Sequence, residues 1–502
     1  MDATGNEKQK VNRKENYNRS VKLIFLLVVF QLLFFVALNL GPLLHILKVI
    51  AIILVILSIP VFYKAIKGDF FMEIIVYLAP LLIYLITILA TLTYQKPPTG
   101  VYGELDLFMN KSTISIVGSV FGILSFFMLG VFVNKHDYFT PKVRSYLPLA
   151  IFAGLALLVM ISLIGTLANY GAYYRVIYAG KVNYYAGRPY LIGNQAKLLM
   201  GFNLETVNPK VLVNAAVILC AASTGFLFLD QSENKTLSIV LSSLSVLGLL
   251  VIALLPDWKA LLFLLPSFAF ALLYRFDQLG KKWLKITLIV IGVIILIFLI
   301  IGFVIVFGSE GLIKALQSNK VTRKIFLNGH VSRYYQVIRD SFKFNFKALL
   351  GVPTKTPVYP LSITVGMNKI YPTGNIFMDL LREAGWFAVL GLLIFAILGI
   401  KVAINYLKNS DDSKFNKAIL ISFLISLFFR YFFYYPLEQY AFTDKYWVYN
   451  YFPLFESPLF LISIFILGYM FTQNSLLKGS KGSKQNKKEQ QEGEIEYEKI
   501  AH

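Results

Sequence analysis

Cysteine is almost absent from this chain. Its 502 residues include one, Cys220, inside an apolar run, so no disulfide can form within the chain and no cysteine-based metal site can be assembled. A small residue facing lipid or the protein core suits that position. Histidine is nearly as scarce, at four residues. Charged side chains make up 15% of the chain, and only 27 of them are acidic against 48 lysines and arginines. No internal repeat is visible, and no cluster of carboxylates outside the spans has metal-ligand spacing. The first apolar run is too long for a signal-peptide core and has no small-residue cleavage site, so it is expected to be a retained helix.

Apolar residues fill the space left by these absences. They account for 57% of the chain, and mean hydropathy is +0.66. A water-soluble fold cannot hide that much apolar surface, which leaves a multi-span membrane protein. The formal net charge of +21 would point to nucleic acid in a soluble protein. Here it follows largely from loop placement and the tails, and nucleic-acid binding is excluded on that ground.

Runs long enough to cross the hydrocarbon core fall near 21–40, 43–63, 71–94, 112–133, 146–167, 210–229, 237–255, 259–276, 286–307, 386–404, 417–436 and 449–471. The expected fold is an all-α polytopic membrane protein of about twelve helices, because a helix satisfies its own backbone polar groups in lipid. The chain divides into a tail over 1–20, nine helices over 21–307, a large external loop over 308–385, three helices over 386–471 and a tail over 472–502. That last segment is rich in Lys, Glu, Gln and Gly and has the composition of a disordered tail.

Basic residues set the orientation. Lys8, Lys10, Arg13, Lys14 and Arg19 precede the first span, and Lys478, Lys481, Lys484, Lys487 and Lys488 follow the last. Both termini are therefore expected in the cytoplasm, which requires an even number of spans. Alternation then places Lys135, Lys142 and Arg144, the group Arg275 to Lys285, and Lys408, Lys414 and Lys417 on the cytoplasmic side. Two long loops, 169–209 and 308–385, fall outside despite their basic residues. Long loops translocate despite positive charge. Their excess suits an anionic lipid headgroup or a phosphorylated substrate, with a solvated basic surface as the plainer reading.

Within the larger loop, Val331, Tyr334, Tyr335, Ile338, Phe342, Phe346 and Leu349 recur at three- and four-residue steps. The spacing predicts an amphipathic helix along the outer membrane surface, with Ser332, Arg333, Gln336, Arg339 and Asp340 on the other face. Gly351 ends it, and Pro353, Pro357 and Pro360 keep the next segment extended. Thr373 or Asn375 then caps a helix that starts amphipathic and becomes a span.

This ordered series resembles the O-antigen ligase and polysaccharide polymerase superfamily of bacterial envelopes. The resembling parts are Ser332-Arg333 at a helix start, Leu350-Gly351 at its end, and Gly374, Asn375, Met378, Leu381, Glu383 and Gly385 at the start of the next span. The specific part runs from Gly329 to Ile400. Where the family commonly carries histidine this chain has Gly374, so a base at that position does not carry over.

The resemblance implies transfer of a glycan from a polyprenyl-pyrophosphate carrier to a sugar hydroxyl on the outer face of the membrane, with no cofactor or metal. It implies a lipid-linked oligosaccharide, membrane lipids and other polysaccharide assembly proteins as partners. A ligase shares this donor chemistry, and a lipid-linked oligosaccharide flippase is the alternative from another class. Arginine pairs with phosphate oxygens in a planar fork and can stabilise the leaving pyrophosphate. Arg333 is the first candidate for that contact, followed by Arg188 in the earlier external loop and by Arg339. His330 is the only external histidine and can take the acceptor hydroxyl's proton; a helix-start histidine is the alternative. Asn375 is a substrate contact or a helix cap.

Depth alone singles out one more pair. Arg430 and Glu456 each fall about 10 Å inside the outer ends of consecutive spans by helical rise. Ionisable groups at that depth have partners, so a structural Arg430–Glu456 ion pair is expected, with separate snorkelling to water as the alternative.

Overall fold

A computed structural model describes residues 53, 56–57, 74–83, 86–87, 123–131, 133, 146–168, 209–229, 235–254, 258–307, 318–321, 375–434, 440–443, 446–449 and 459–471. Their secondary structure is helical apart from one short ribbon. In chain order the helices are α1 (Ile74–Ile83), α2 (123–131), α3 (Leu147–Ala168), α4 (Pro209–Ala221), α5 (Lys235–Leu254), α6 (Leu265–Arg275), α7 (Lys282–Phe307), α8 (Ile376–Asn409), α9 (Lys414–Tyr434) and α10 (Leu459–Phe471).

Among the described residues, three segments are long and apolar enough to cross a membrane: Lys235–Leu254, Gly385–Asn409 and Lys414–Phe432. Their burial differs in a way that fixes their positions. Inside the protein, 67% of the most apolar window of the third is buried, against 28% and 33% for the other two. The third, α9, is therefore central, and α5 and α8 turn apolar faces outward. Ile239, Val246 and Leu250 on α5 are exposed, as are Ile394, Ile397 and Ile400 on α8. Apolar faces of that extent are stable in lipid and not in water. The chain is a membrane protein on these grounds.

Two expected spans depart from plain helix. Helix α4 passes into a 3₁₀ segment, Ala222–Phe228, where the run at 210–229 predicts one continuous helix. A second 3₁₀ segment, Trp258–Leu264, precedes α6 within the run at 259–276. The tighter 3₁₀ winding has poorer hydrogen bonds and is used in short pieces, often where function or strain demands it. In the connection between α9 and α10, strands Tyr440–Thr443 and Tyr446–Tyr449 pair antiparallel, with Tyr440 opposite Tyr449 and Phe442 opposite Trp447. The run at 21–40, most of that at 43–63, most of the basic external loops and both tails lie outside the described residues.

Helix α8 starts where Asn375 predicts. The Asn375 Oδ1 accepts from the backbone N–H of Phe377 (2.9 Å) and Met378 (3.2 Å), which satisfies two of the donors a helix start leaves open. The helix then breaks at Gly385, whose φ of 79° and ψ of −172° are open essentially to glycine alone. The expected amphipathic start and the membrane span are thus two helical pieces joined at one residue.

Close backbone approach holds α2 against α10. A Cβ on Gly130 would collide with the carbonyl oxygen of Phe465, and one on Gly468 with the carbonyl oxygen of Phe127. Small residues on both sides let membrane helices approach this closely and gain dispersion along their length. Tyr77 of α1 and Phe395 of α8 join Phe127 and Phe471 beside this crossing, with ring centroids 5.1–6.1 Å apart.

One end of the bundle is tied by polar contacts. Asp412, between α8 and α9, accepts from the hydroxyls of Tyr406 (2.6 Å) and Tyr469 (2.8 Å). Lys417 Nζ donates to the carbonyls of Leu407 (3.3 Å) and Ser410 (2.6 Å), a cation meeting the last carbonyls of α8. The exposed pair Lys414–Asp277, at 3.4 Å, brings the α6–α7 turn to this same end. Two basic loops expected on one side of the membrane therefore meet on one side of the bundle.

Candidate functional site

Helix α9 carries Ser422, Ser426 and Arg430 at four-residue steps, so they share one face. All three are fully buried. Over eight residues the stripe runs about 12 Å along the helix. The facing groups come from the two interrupted segments and their neighbours. Thr224, in the first 3₁₀ segment, donates to Ser422 Oγ at 3.1 Å and lies 2.7 Å from the Ala221 carbonyl oxygen. Ser267 on α6 donates to the Ser422 carbonyl at 3.1 Å, and its hydroxyl lies 2.7 Å from that of Ser426. Hydroxyls in this arrangement bind helices to one another where lipid offers no polar alternative, at about 0.6 kcal/mol each.

Arg430 ends the stripe. Its Nε donates to Asn214 Oδ1 on α4, and its guanidinium carbon stands 4.9 Å from the ring centroid of Phe263, in the second 3₁₀ segment. Three elements distant in sequence thus converge on one buried cation. A hydrogen bond to a charged group contributes about 1.5–3 kcal/mol, and a desolvated cation over an aromatic face about 2 kcal/mol. Neither supplies negative charge. Asn214 is itself fully buried, and its Nδ2 has no acceptor among the described residues. The Asn214 Nδ2 donor lies at a depth where the bilayer has no water to accept from it.

Arg333, His330, Arg188 and Arg339 lie outside the described residues, as does Glu456, the expected partner of Arg430. Asn375 is described. Of the two roles expected of it, the cap is the one its side-chain oxygen performs. Cys220 is a packed residue, with its Sγ 3.7 Å from the Ser245 carbonyl and close against the backbone near Gly248. Depth in the span identified Arg430 from sequence. Asn214 and Phe263 were not identified. An amide inside the apolar run Val211-Leu212-Val213-Asn214-Ala215 is the signal that marks Asn214, by the same reasoning applied to buried ionisable groups.

No protein-family model matches this chain, and neither does any curated protein or solved structure.

Proposed function

We propose that this membrane protein is an envelope polysaccharide polymerase, transferring glycan from a polyprenyl-pyrophosphate carrier to a sugar hydroxyl on the outer face of the membrane. The reading rests on the ordered series Ser332-Arg333, Leu350-Gly351 and Asn375 to Gly385. Its last part gains support from local structure. A buried asparagine caps a short helix, and a glycine in a conformation reserved for glycine bends that helix into an apolar span. In this reading that join sets how the external segment meets the membrane. In this reading the chain has about twelve spans and cytoplasmic termini. Arg333, with Arg188 and Arg339, pairs with the pyrophosphate, and His330 receives the acceptor's proton. Asn375 holds the helix on which the external segment is mounted.

A second reading, a lipid-linked oligosaccharide flippase, has its own supporting observation. Substrate sites of secondary transporters lie within the bilayer among interrupted helices, and the Arg430 stripe is flanked by two 3₁₀ interruptions.

Deleting the gene and complementing it with Arg333→Ala or Arg188→Ala separates these readings. Single lipid-linked repeat units accumulating on the outer leaflet support polymerisation. Accumulation on the inner leaflet supports a flippase, and long undischarged chains a ligase.

A further inference from the structure

The turn between α6 and α7 gathers positive charge at one end of the bundle. From Arg275 to Lys285 it carries Arg275, Lys281, Lys282 and Lys285 and a single carboxylate, Asp277. All four cationic side chains are exposed. Lys414 approaches Asp277 from α9, at 3.4 Å, so the patch sets five cations against one carboxylate. Lys282 and Lys285 are three residues apart and therefore neighbours on the surface of α7.

The same turn holds apolar side chains outward. Phe276 is 67% exposed, Trp283 48% and Leu279 37%. The backbone beneath them is ordered. The Gln278 N–H donates to the Leu273 carbonyl at 2.8 Å, and its side-chain amide donates to the Phe276 carbonyl at 3.0 Å. Gln278 Oε1 accepts from the Trp283 indole N–H at 3.3 Å. Rings and basic side chains mix in this way at the bilayer boundary, where rings sit at headgroup level and basic stems lie along apolar surface. From Trp283 an exposed stripe continues along α7 through Ile286, Val290, Val293 and Ile297, at three- and four-residue steps.

Cations above a continuous apolar stripe are complementary to a lipid whose headgroup is anionic. A zwitterionic headgroup carries an ammonium of its own, which the cations repel. An acidic protein segment matches the cations but not the stripe below them.

We infer that the α6–α7 turn and the first turns of α7 form a surface site for an anionic phospholipid of the surrounding bilayer. The phosphodiester meets Arg275 and the three lysines, and the acyl chains lie along the stripe below Trp283. The site is independent of glycan transfer and requires only that the chain sit in a membrane.

The test uses the full chain in nanodiscs of equal parts phosphatidylglycerol and phosphatidylcholine, with bromine on the acyl chains of one lipid or the other. Bromine quenches a nearby indole, and the share belonging to Trp283 is the quenching that Trp283→Phe removes. Phosphatidylglycerol is expected to be preferred there at least about fivefold, the ratio one basic residue contributes at an anionic surface. The preference should fall toward unity at 1 M salt, where the screening length is about 3 Å. It should fall likewise in the combined variant Arg275→Gln, Lys281→Gln, Lys282→Gln and Lys285→Gln, with an unchanged thermal midpoint because all four side chains are exposed.

Equal quenching of Trp283 by the two lipids would overturn the inference and leave the cations to an acidic protein partner. Quenching by neither lipid would overturn it too, since the turn then does not meet the bilayer. So would a preference that the folded combined variant retains. Should that variant fail to fold, the wild type at high salt decides alone: a preference that salt leaves intact is not one for charge.

Discussion

Replacing Gly468 by alanine should loosen the bundle where α2 crosses α10. The added Cβ would overlap the Phe127 carbonyl oxygen, which belongs to helix backbone and cannot rotate away. The two helices must part by about 1 Å to restore an ordinary van der Waals separation, and a gap of that size forfeits a quarter to a half of the dispersion across it. Overpacking of this kind costs about 1–3 kcal/mol. Gly130→Ala forces the same parting from the other side, against Phe465. The double variant should therefore cost clearly less than the sum of the singles, because one separation accommodates both methyl groups. Gly154 supplies the control. Nothing lies within 4 Å of a Cβ built there, and Gly154→Ala in α3 should be neutral or stabilising by up to about 1 kcal/mol. The single thiol makes the assay direct: Cys220 is buried, so its labelling by a thiol-reactive dye on heating reports the opening of the bundle. A Gly468→Ala protein with the wild-type labelling midpoint, or strictly additive effects of the two variants, would refute the close-crossing account.

Three further outcomes follow from other contacts. Gly385→Ala places a side chain at φ 79° and ψ −172° and should cost about 1–3 kcal/mol, read as a lower thermal midpoint. Asn375→Ala removes the cap of α8 and should cost about 0.5–2 kcal/mol, whereas Asn375→Ser should keep most of it; hydrogen exchange at the first turn of α8 distinguishes them. Asp412→Ala takes the acceptor from the two tyrosine hydroxyls and should destabilise by more than Tyr469→Phe, because deleting a donor is cheaper than stranding one in a buried site. Equal thermal midpoints for the two variants would contradict that.

Sequence carried the parts of this fold that depend on length and local chemistry. The runs at 146–167, 386–404 and 417–436 match helices because about twenty apolar residues in lipid leave the backbone few alternatives. The cap at Asn375 and the change of character at Gly385 were legible for the same reason: each depends on one residue's own conformational preferences. The 3₁₀ interruptions and the contacts beside them were hidden, since Thr224 in the first, and Ser267 on α6 just after the second, have meaning only beside Ser422 and Ser426, more than 150 residues away. The site at Arg430 was half legible. Depth marks a buried cation, but its neighbours Asn214 and Phe263 come from helices that periodicity cannot bring together. The ribbon at 440–449 also escaped a reading by apolar length, although its alternation around Asp444-Lys445 is a strand pattern.

The most direct test of glycan transfer is reconstitution of the full chain in liposomes supplied with a lipid-linked single repeat unit. A ladder of longer lipid-linked glycans, lost in Arg333→Ala, is the predicted result. Movement of the labelled unit between leaflets with no increase in its length would contradict it.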